Sequence, residues 1–469
     1  MQIRLPLHSY KLRSGPASPA RLVNCFAEAL LPDATYPVVL TRSPGVKSWT
    51  TVGSGNIKAL YQGDVEFDAG FQSYLYVVSG SEWYYVPQTN GVAGTPVLIG
   101  DIGSPNNISI SSSASQVVLV NEPNGYYWDG TTFGQITDDD FVSRGAGDVV
   151  YLDKFFIFRE PNSDRFFIPD IGSATSYDAL QFAKTDDTPD LLSGILADKG
   201  VLLAFGNKSI EIWENTGAAG VPFERVINGT IEVGVTPKSI GRIFNRGLFV
   251  DDNYTVRLLE GYQPMRASTH AIEQKLANET IIDSMTYAQE GHFFYVLTTD
   301  AGTYTYDVTT SEWSERKSYG YPNWTPQKTA AFAGKILVGD SESNKIGYLD
   351  FDTYTDWGTT QRMEWTYQPI YAEGQRAFHD RFEIVLETGI GKTTGQGSDP
   401  KIMLEKSDDG GETWQSLPDR SLGKLGKRHT RAVWFNLGSA RDRVYRAAVS
   451  DPIQITVRDT IAEVRGGRL

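Results

Sequence analysis

What most constrains this chain is a repeat. Short apolar strands begin at Leu75, Val118, Phe156, Leu202, Leu248, Phe294 and Ile336, at intervals of 43, 38, 46, 46, 46 and 42 residues. Each is followed by turn chemistry: Ser79-Gly80, Asn124-Gly125, Pro161-Asn162, Gly206-Asn207, Asp251-Asp252-Asn253, Asp300-Ala301-Gly302 and Gly339-Asp340. Gly, Asn and Asp there supply positive φ or Asx turns. A second strand then starts at Trp83, Tyr126, Arg165, Ser209, Thr255, Thr303 and Lys345, 7 to 9 residues after the first in every case. A period near 43 residues, with a hairpin in each and no helical pattern between, is the sequence form of a four-stranded propeller blade. The first strands are apolar throughout and are expected innermost, covered on both faces by neighbouring blades. Alternation in Ser209–Ile212 and Thr303–Tyr306 is expected of half-exposed outer strands. A large sandwich or a run of β-meanders would accommodate the same hairpins.

The rest of the chain departs from the period. Residues 1–50 carry Pro at 6, 16, 19, 32, 37 and 44 and read as an extended N-terminal arm, with Val38-Val39-Leu40 a strand that could close the ring. Residues 51–358 hold the propeller-like body. Residues 359–469 read as a separate antiparallel β-sandwich, with strands at Phe382–Leu386, Ile402–Lys406, Ala432–Asn436, Val444–Val449 and Ile453–Val457 and the boundary between Asp356 and Arg376. The 46 Gly and 22 Pro disfavour long helices, while 12% aromatic residues suffice for a substantial core. Cys25 is the only cysteine, so no intrachain disulfide or cysteine-based zinc cluster can form. No apolar run is long enough for a signal peptide or a membrane span, so neither secretion nor membrane insertion is expected.

Formal charge is −14, unevenly spread: residues 420–469 carry +7 and residues 1–419 carry −21. An acidic body disfavours gripping nucleic acid, because clustered Lys and Arg supply most non-specific affinity. It permits a surface past which DNA slides. The densest basic run, from Lys424 through Lys427 and Arg428 to Arg431, suits an acidic partner; as a plain feature it is a solvated loop. The acidic runs Asp138–Asp140 and Asp186-Asp187 are expected at loop tips.

Signals for catalysis are sparse. The five histidines, His8, His270, His292, His379 and His429, have no metal-pair spacing, and no HExxH, GxSxG or phosphate-loop motif occurs. No catalytic residue, metal or cofactor is expected. Gly389-Ile390-Gly391-Lys392 leads into more glycine and not into a helix, so it lacks the anion cradle of a phosphate loop. Ser407, Asp409, Gly411, Thr413 and Trp414 fit the pattern S-x-D-x-G-x-T-W, which resembles the Asp box of sialidases. There the box is a structural turn, and it implies no catalytic role here.

Several segments resemble the packaged-DNA stabilisation proteins, or tail hubs, of short-tailed phages. Phe205 to Gly217, with Gly206, Glu211 and Gly217, is similar to an FG-x-x-[ST]-x-E-x-x-x-x-TG stretch of that family. Asp129-Gly130 within Tyr127–Thr131 resembles its YDGT-like hairpin, and Arg42, Pro44 and Gly45 its R-S-x-PG segment, here with Pro directly before Gly. The resemblance implies a non-enzymatic virion protein, made in the host cytoplasm. It would assemble as a hexameric ring below portal and adaptor, retain packaged DNA, anchor spikes, fibres or a needle, and form part of the ejection conduit. Lys424, Lys427, Arg428 and Arg431 are then candidate contacts to an adaptor ring. Two other readings are a glycan-binding or glycan-hydrolysing propeller, with Trp313, Tyr319, Tyr321 and Trp324 as exposed aromatics, and a cellular propeller scaffold.

Overall fold

A computed structural model describes residues 3–12, 18–31, 33–67, 70–185, 190–218, 220–244, 246–371 and 374–466. Asp186-Asp187, Pro16 and Pro32 lie outside the described residues. The hairpins become seven four-stranded antiparallel blades, five of them separate sheets and the sixth and seventh parts of larger ones. Blade 1 comprises Ile57–Phe67, Gly70–Ser79, Glu82–Val86 and Val97–Asp101; blade 2 comprises Ile108–Ser112, Val117–Asn121, Asn124–Trp128 and Phe133–Gln135. Blades 3, 4 and 5 follow over 148–184, 192–231 and 241–266. Blade 6 comprises Ile281–Gln289, His292–Thr299, Thr303–Asp307 and Glu312–Arg316. Blade 7 takes Pro326–Phe332, Lys335–Asp340 and Lys345–Asp350, and its fourth strand is Gly45–Thr51, paired from Lys345↔Thr51 to Asp350↔Gly45.

The ring is therefore closed by residues 45–51. Val38–Leu40, expected to close it, lies instead in Val38–Arg42, which pairs with Cys25–Ala29 and with Thr456–Gly466. Blade order also corrects the inner and outer assignment. The apolar first strands of each hairpin are the second strands of their sheets, and the innermost strands are the mixed sequences 57–67, 108–112, 148–152, 192–198, 241–243, 281–289 and 326–332. Ile210–Ile212 and Thr303–Asp307 are buried throughout and not half-exposed, because a fourth strand lies outside each and neighbouring blades cover both faces. Hydrophobic clusters fill the gap between every successive pair of blades, from blades 1 and 2 (Tyr76, Trp83, Leu119) to blades 7 and 1 (Leu75, Val77, Leu337, Ile346). Each fully buried aliphatic or aromatic side chain contributes about 1.5–3 kcal/mol by leaving water, so the seams hold the ring.

Two short helices interrupt the β pattern. Asp138–Asp140, expected at a loop tip, begins the helix Asp139–Arg144: the Asp138 side chain accepts from Asp140 N at 2.9 Å, and acids in the first turn oppose the helix dipole. The second helix, His270–Leu276, precedes blade 6 and buries Ile272 and Leu276.

The sandwich has one sheet ordered Cys25–Ala29, Val38–Arg42, Thr456–Gly466, Ala377–Leu386 and Ala432–Phe435. Facing it are Pro19–Val23, Met363–Thr366, Asp442–Val449 and Lys401–Ser407. The last strand begins at Thr456 and not at Ile453; Ile453 and Ile455 are core residues in a bend before it. Trp365, Tyr367, Phe382, Trp434 and Tyr445 fill the space between the sheets. Three of these nine strands come from the N-terminal arm. The second sheet runs on into blade 6, because Pro19–Val23 also meets Glu312–Arg316 in parallel at Val23↔Glu315. Propeller and sandwich thus share one hydrogen-bonded sheet.

Candidate functional site

The motif positions are distributed over the fold as local supports. Gly206 stands where a Cβ would run into the Asp190 carboxylate, which accepts from the backbone N of Asn207, Lys208 and Ser209 at 2.7, 2.6 and 2.9 Å. Asp190 thereby caps the turn between the second and third strands of blade 4. Glu211, on the third strand, is buried and accepts from Trp213 Nε1 at 3.1 Å. Gly217 takes φ +69° where the chain leaves that strand. In blade 2, Asp129 accepts from the backbone N of Thr131 and Thr132 at 2.9 and 2.6 Å, and Gly130 takes φ +96° between them.

Arg42, Pro44 and Gly45 form the joint where the chain leaves the sandwich and enters blade 7. The buried Arg42 guanidinium donates to the backbone oxygens of Asp451 at 2.6 Å, Ile453 at 3.0 Å and Gln361. Burial pulls its pKa down to about 10, which leaves it charged at neutral pH. The Pro44 carbonyl accepts from Arg316 Nη2 at 2.8 Å and Gln361 Nε2 at 3.2 Å. At Gly45 a Cβ would run into the backbone oxygens of Thr353 and Thr355. Nearby, Glu315 accepts from Arg21 Nη2 at 2.6 Å and Lys275 Nζ at 3.2 Å, tying arm, blade 6 and helix 270–276 together. Sequence reasoning missed this triad: 294 residues separate Arg21 from Glu315, and no local pattern joins them.

The Asp-box residues make a self-contained turn. Asp409 accepts from the backbone N of Glu412 at 3.1 Å and of Thr413 at 2.9 Å, and Ser407 Oγ accepts from Gly411 N at 2.8 Å. Hydrogen bonds from Ser407 and Thr413 hold the Asp409 carboxyl well below its usual range. Trp414 lies under the Arg446 guanidinium, 4.1 Å from ring centre. The carboxylate is consumed by its own turn. Of the aromatics expected on the surface, Tyr319 and Tyr321 are exposed, but Trp313 and Trp324 are core residues at 1% and 0% exposure. Trp313 donates Nε1 to Ala267 O at 2.9 Å, and Trp324 stacks under Arg316. Their place between blades leaves Tyr319 and Tyr321 as the two of the four on the surface.

The basic run forms an exposed loop braced by its neighbour: Gly426 N donates to Gly389 O at 2.9 Å, and Thr388 Oγ1 to Arg428 O at 2.9 Å. Arg431 is held by Glu383 at 2.7 and 2.8 Å. Lys424, Lys427 and Arg428 are exposed and form no ion pair among the described residues. Their charge is available to a partner. His8, His270 and His292 each sit within 3.3 Å of a carboxylate on the fold, His379 is buried and His429 is exposed. Among the described residues no three His, Cys, Asp or Glu side chains are placed to hold a metal ion.

Along the propeller axis a cavity of about 360 Å³ is lined by innermost strands, including Tyr61, Ser109, Arg242 and Lys328. A larger groove of about 1160 Å³ opens between the N-terminal stretch 3–8 and the sandwich.

Comparison with known proteins matches this architecture part by part. A family model described as bacteriophage P22 Gp10, β-propeller, matches residues 22–354, and a second, described as bacteriophage P22 Gp10, β-sandwich, matches residues 363–465. No curated protein matches the sequence. Similar solved structures include the Pan2 WD40 domain of Neurospora crassa, with 9% identity over 66% of this chain and 94% of that one at a TM-score of 0.44. The Cps50 (Swd1) propeller of Myceliophteria thermophila is similar with 10% identity over 65% and 98% at a TM-score of 0.43. Likenesses this distant carry no argument about this chain.

Proposed function

The chain belongs to the bacteriophage P22 Gp10 family and is a structural protein of the phage tail; from that premise we propose that it works as a tail hub. Copies assemble as a sixfold ring below the portal and adaptor, keep packaged DNA in place, anchor a spike, fibre or needle, and form part of the ejection conduit. One observation carries this reading: the propeller and sandwich family models match consecutive stretches that together span nearly the whole chain. The mechanism is assembly and not chemistry. An axial cavity of about 360 Å³ has the size of a small-ligand pocket, so the conduit runs between copies and not through one propeller. A propeller body with a formal charge of −20 over residues 51–358 disfavours adhesion to passing phosphates. Lys424, Lys427 and Arg428, exposed on a braced loop, are the contacts to an acidic adaptor ring, with Arg431 fixing that loop through Glu383.

Quantitative peptide mass spectrometry on purified, DNA-filled particles tests the reading. About half as many copies of this chain as of portal subunits is the expected result; absence from the particle would sink it.

A further inference from the structure

The arm and the sandwich are basic, residues 1–50 carrying +4 and residues 359–469 carrying +2, against −20 on the propeller. Each copy is thus a dipole of unlike faces. The two ends of that dipole also carry apolar surface. On the basic side, the groove of about 1160 Å³ exposes Leu7 and is floored by Ile3, Leu5, Val38, Ile370 and Val464, which also pack on the sandwich core. The exposed Arg4 and Arg458 stand beside it, and neither pairs with an acid among the described residues. On the acidic side, blade 3 presents Leu180 at 78% exposure on its outermost strand, and Ile171, in the loop before that strand, and Val142 are exposed as well. Val142 belongs to the helix Asp139–Arg144, which lies against the outermost strand of this blade, where Arg144 Nη2 donates to Ala179 O at 2.7 Å. Asp139, Asp170 and Asp178, exposed on the same helix, loop and strand, form no ion pair among the described residues.

Position adds a third argument. The sandwich is attached at blades 6 and 7, through Val23↔Glu315 and through the closing strand Gly45–Thr51. In a closed ring of seven blades, blade 3 lies half a turn from the junction of blades 6 and 7. The apolar acidic patch and the apolar basic groove therefore lie on opposite sides of one copy, which is the arrangement a head-to-tail contact requires.

We infer that the outer face of blade 3, with Leu180 at its centre, docks into the groove between the N-terminal stretch and the sandwich of a second copy of this chain. Apolar side chains from blade 3 fill the groove, and Asp170 and Asp178 meet Arg4 and Arg458 at its border. The inference rests on the ring reading above and names the faces that make the ring.

Cysteine cross-linking in assembled particles tests it, with the lone native Cys25 buried and unreactive. In DNA-filled particles whose hub carries both Leu7→Cys and Leu180→Cys, mild oxidation is expected to link copies into a ladder that neither single variant gives. The double variant present at its usual copy number without a ladder overturns the interface. Absence of the unsubstituted chain from particles overturns the ring reading instead. Should the double variant not enter particles, charge reversal decides. Asp178→Lys and Arg458→Glu are each expected to cut incorporation about tenfold, and together in one chain to restore it. Incorporation unchanged by either reversal, or not restored by the pair, overturns the inference.

Discussion

Glu315 shows how single residues hold the arm to the propeller. Burial alone would raise its pKa, but Arg21 and Lys275 outweigh burial and hold it at about 2. Its folded value lies below that of an ordinary glutamate, so the contribution is complete above about pH 4.5 and is lost as pH falls toward 2. Glu315→Gln should lose about 2 kcal/mol at neutral pH and flatten the acid limb of stability between those values, measured by denaturant unfolding across a pH series. His379 acts in a different window. Burial, with Arg443 nearby adding to it, lowers its pKa to about 4, and its Nδ1 lies 3.1 Å from Tyr445 Oη in the sandwich core. Between about pH 6.5 and 4 the unfolded chain binds a proton that the folded chain refuses, so stability falls as pH drops through that range. His379→Gln should remove the slope there and leave the lower limb intact; an unchanged slope would show that another group is responsible.

Among elements, the turn at Gly206 and the strand Gly45–Thr51 bear the most consequence. Gly206→Ala sets a methyl against the Asp190 carboxylate that caps residues 207–209, and about 1–3 kcal/mol of destabilisation is expected. Gly217→Ala meets no atom within 4 Å and only has to hold φ +69°, so it should cost less. Thermal unfolding of the pair checks the order. Gly45→Val should be worse than either, because the backbone oxygens of Thr353 and Thr355 cannot yield, and the seventh blade would lose its fourth strand. These elements also separate what a sequence discloses from what it conceals. The hairpins are legible because the second and third strands of each blade are covered on both faces and read as apolar runs. Innermost strands are not, since one side looks onto the axis and Lys58, Asp64, Asp198 and Lys328 break the pattern. Gly45–Thr51 looks like arm, because its partner Lys345–Asp350 lies at the other end of the propeller sequence. The basic loop 424–431 is legible because its charge is contiguous. Arg21, Lys275 and Glu315 meet only in the folded chain.

At the scale of the whole molecule, the N-terminal segment belongs to both parts. Pro19–Val23 pairs with Met363–Thr366 and with blade 6, Val38–Arg42 pairs with Thr456–Gly466, and Gly45–Thr51 completes blade 7. Calorimetry of the full chain should therefore show one cooperative transition, and two well-separated peaks would contradict this coupling. A fragment spanning 51–358 lacks the closing strand and should bind hydrophobic dye and resist crystallisation as a compact monomer. The same threading has a consequence for how the protein is made. Leu40 pairs with Val457, so the earlier strand waits on the ribosome for one made 417 residues later. At roughly 5–20 residues per second, that interval is on the order of 20 to 80 seconds. Throughout it, the nascent chain carries an unpaired strand edge. The propeller can close once Lys345–Asp350 has emerged to meet Gly45–Thr51, whereas the sandwich waits for Thr456–Gly466, so the two bodies are completed in that order as the chain is made.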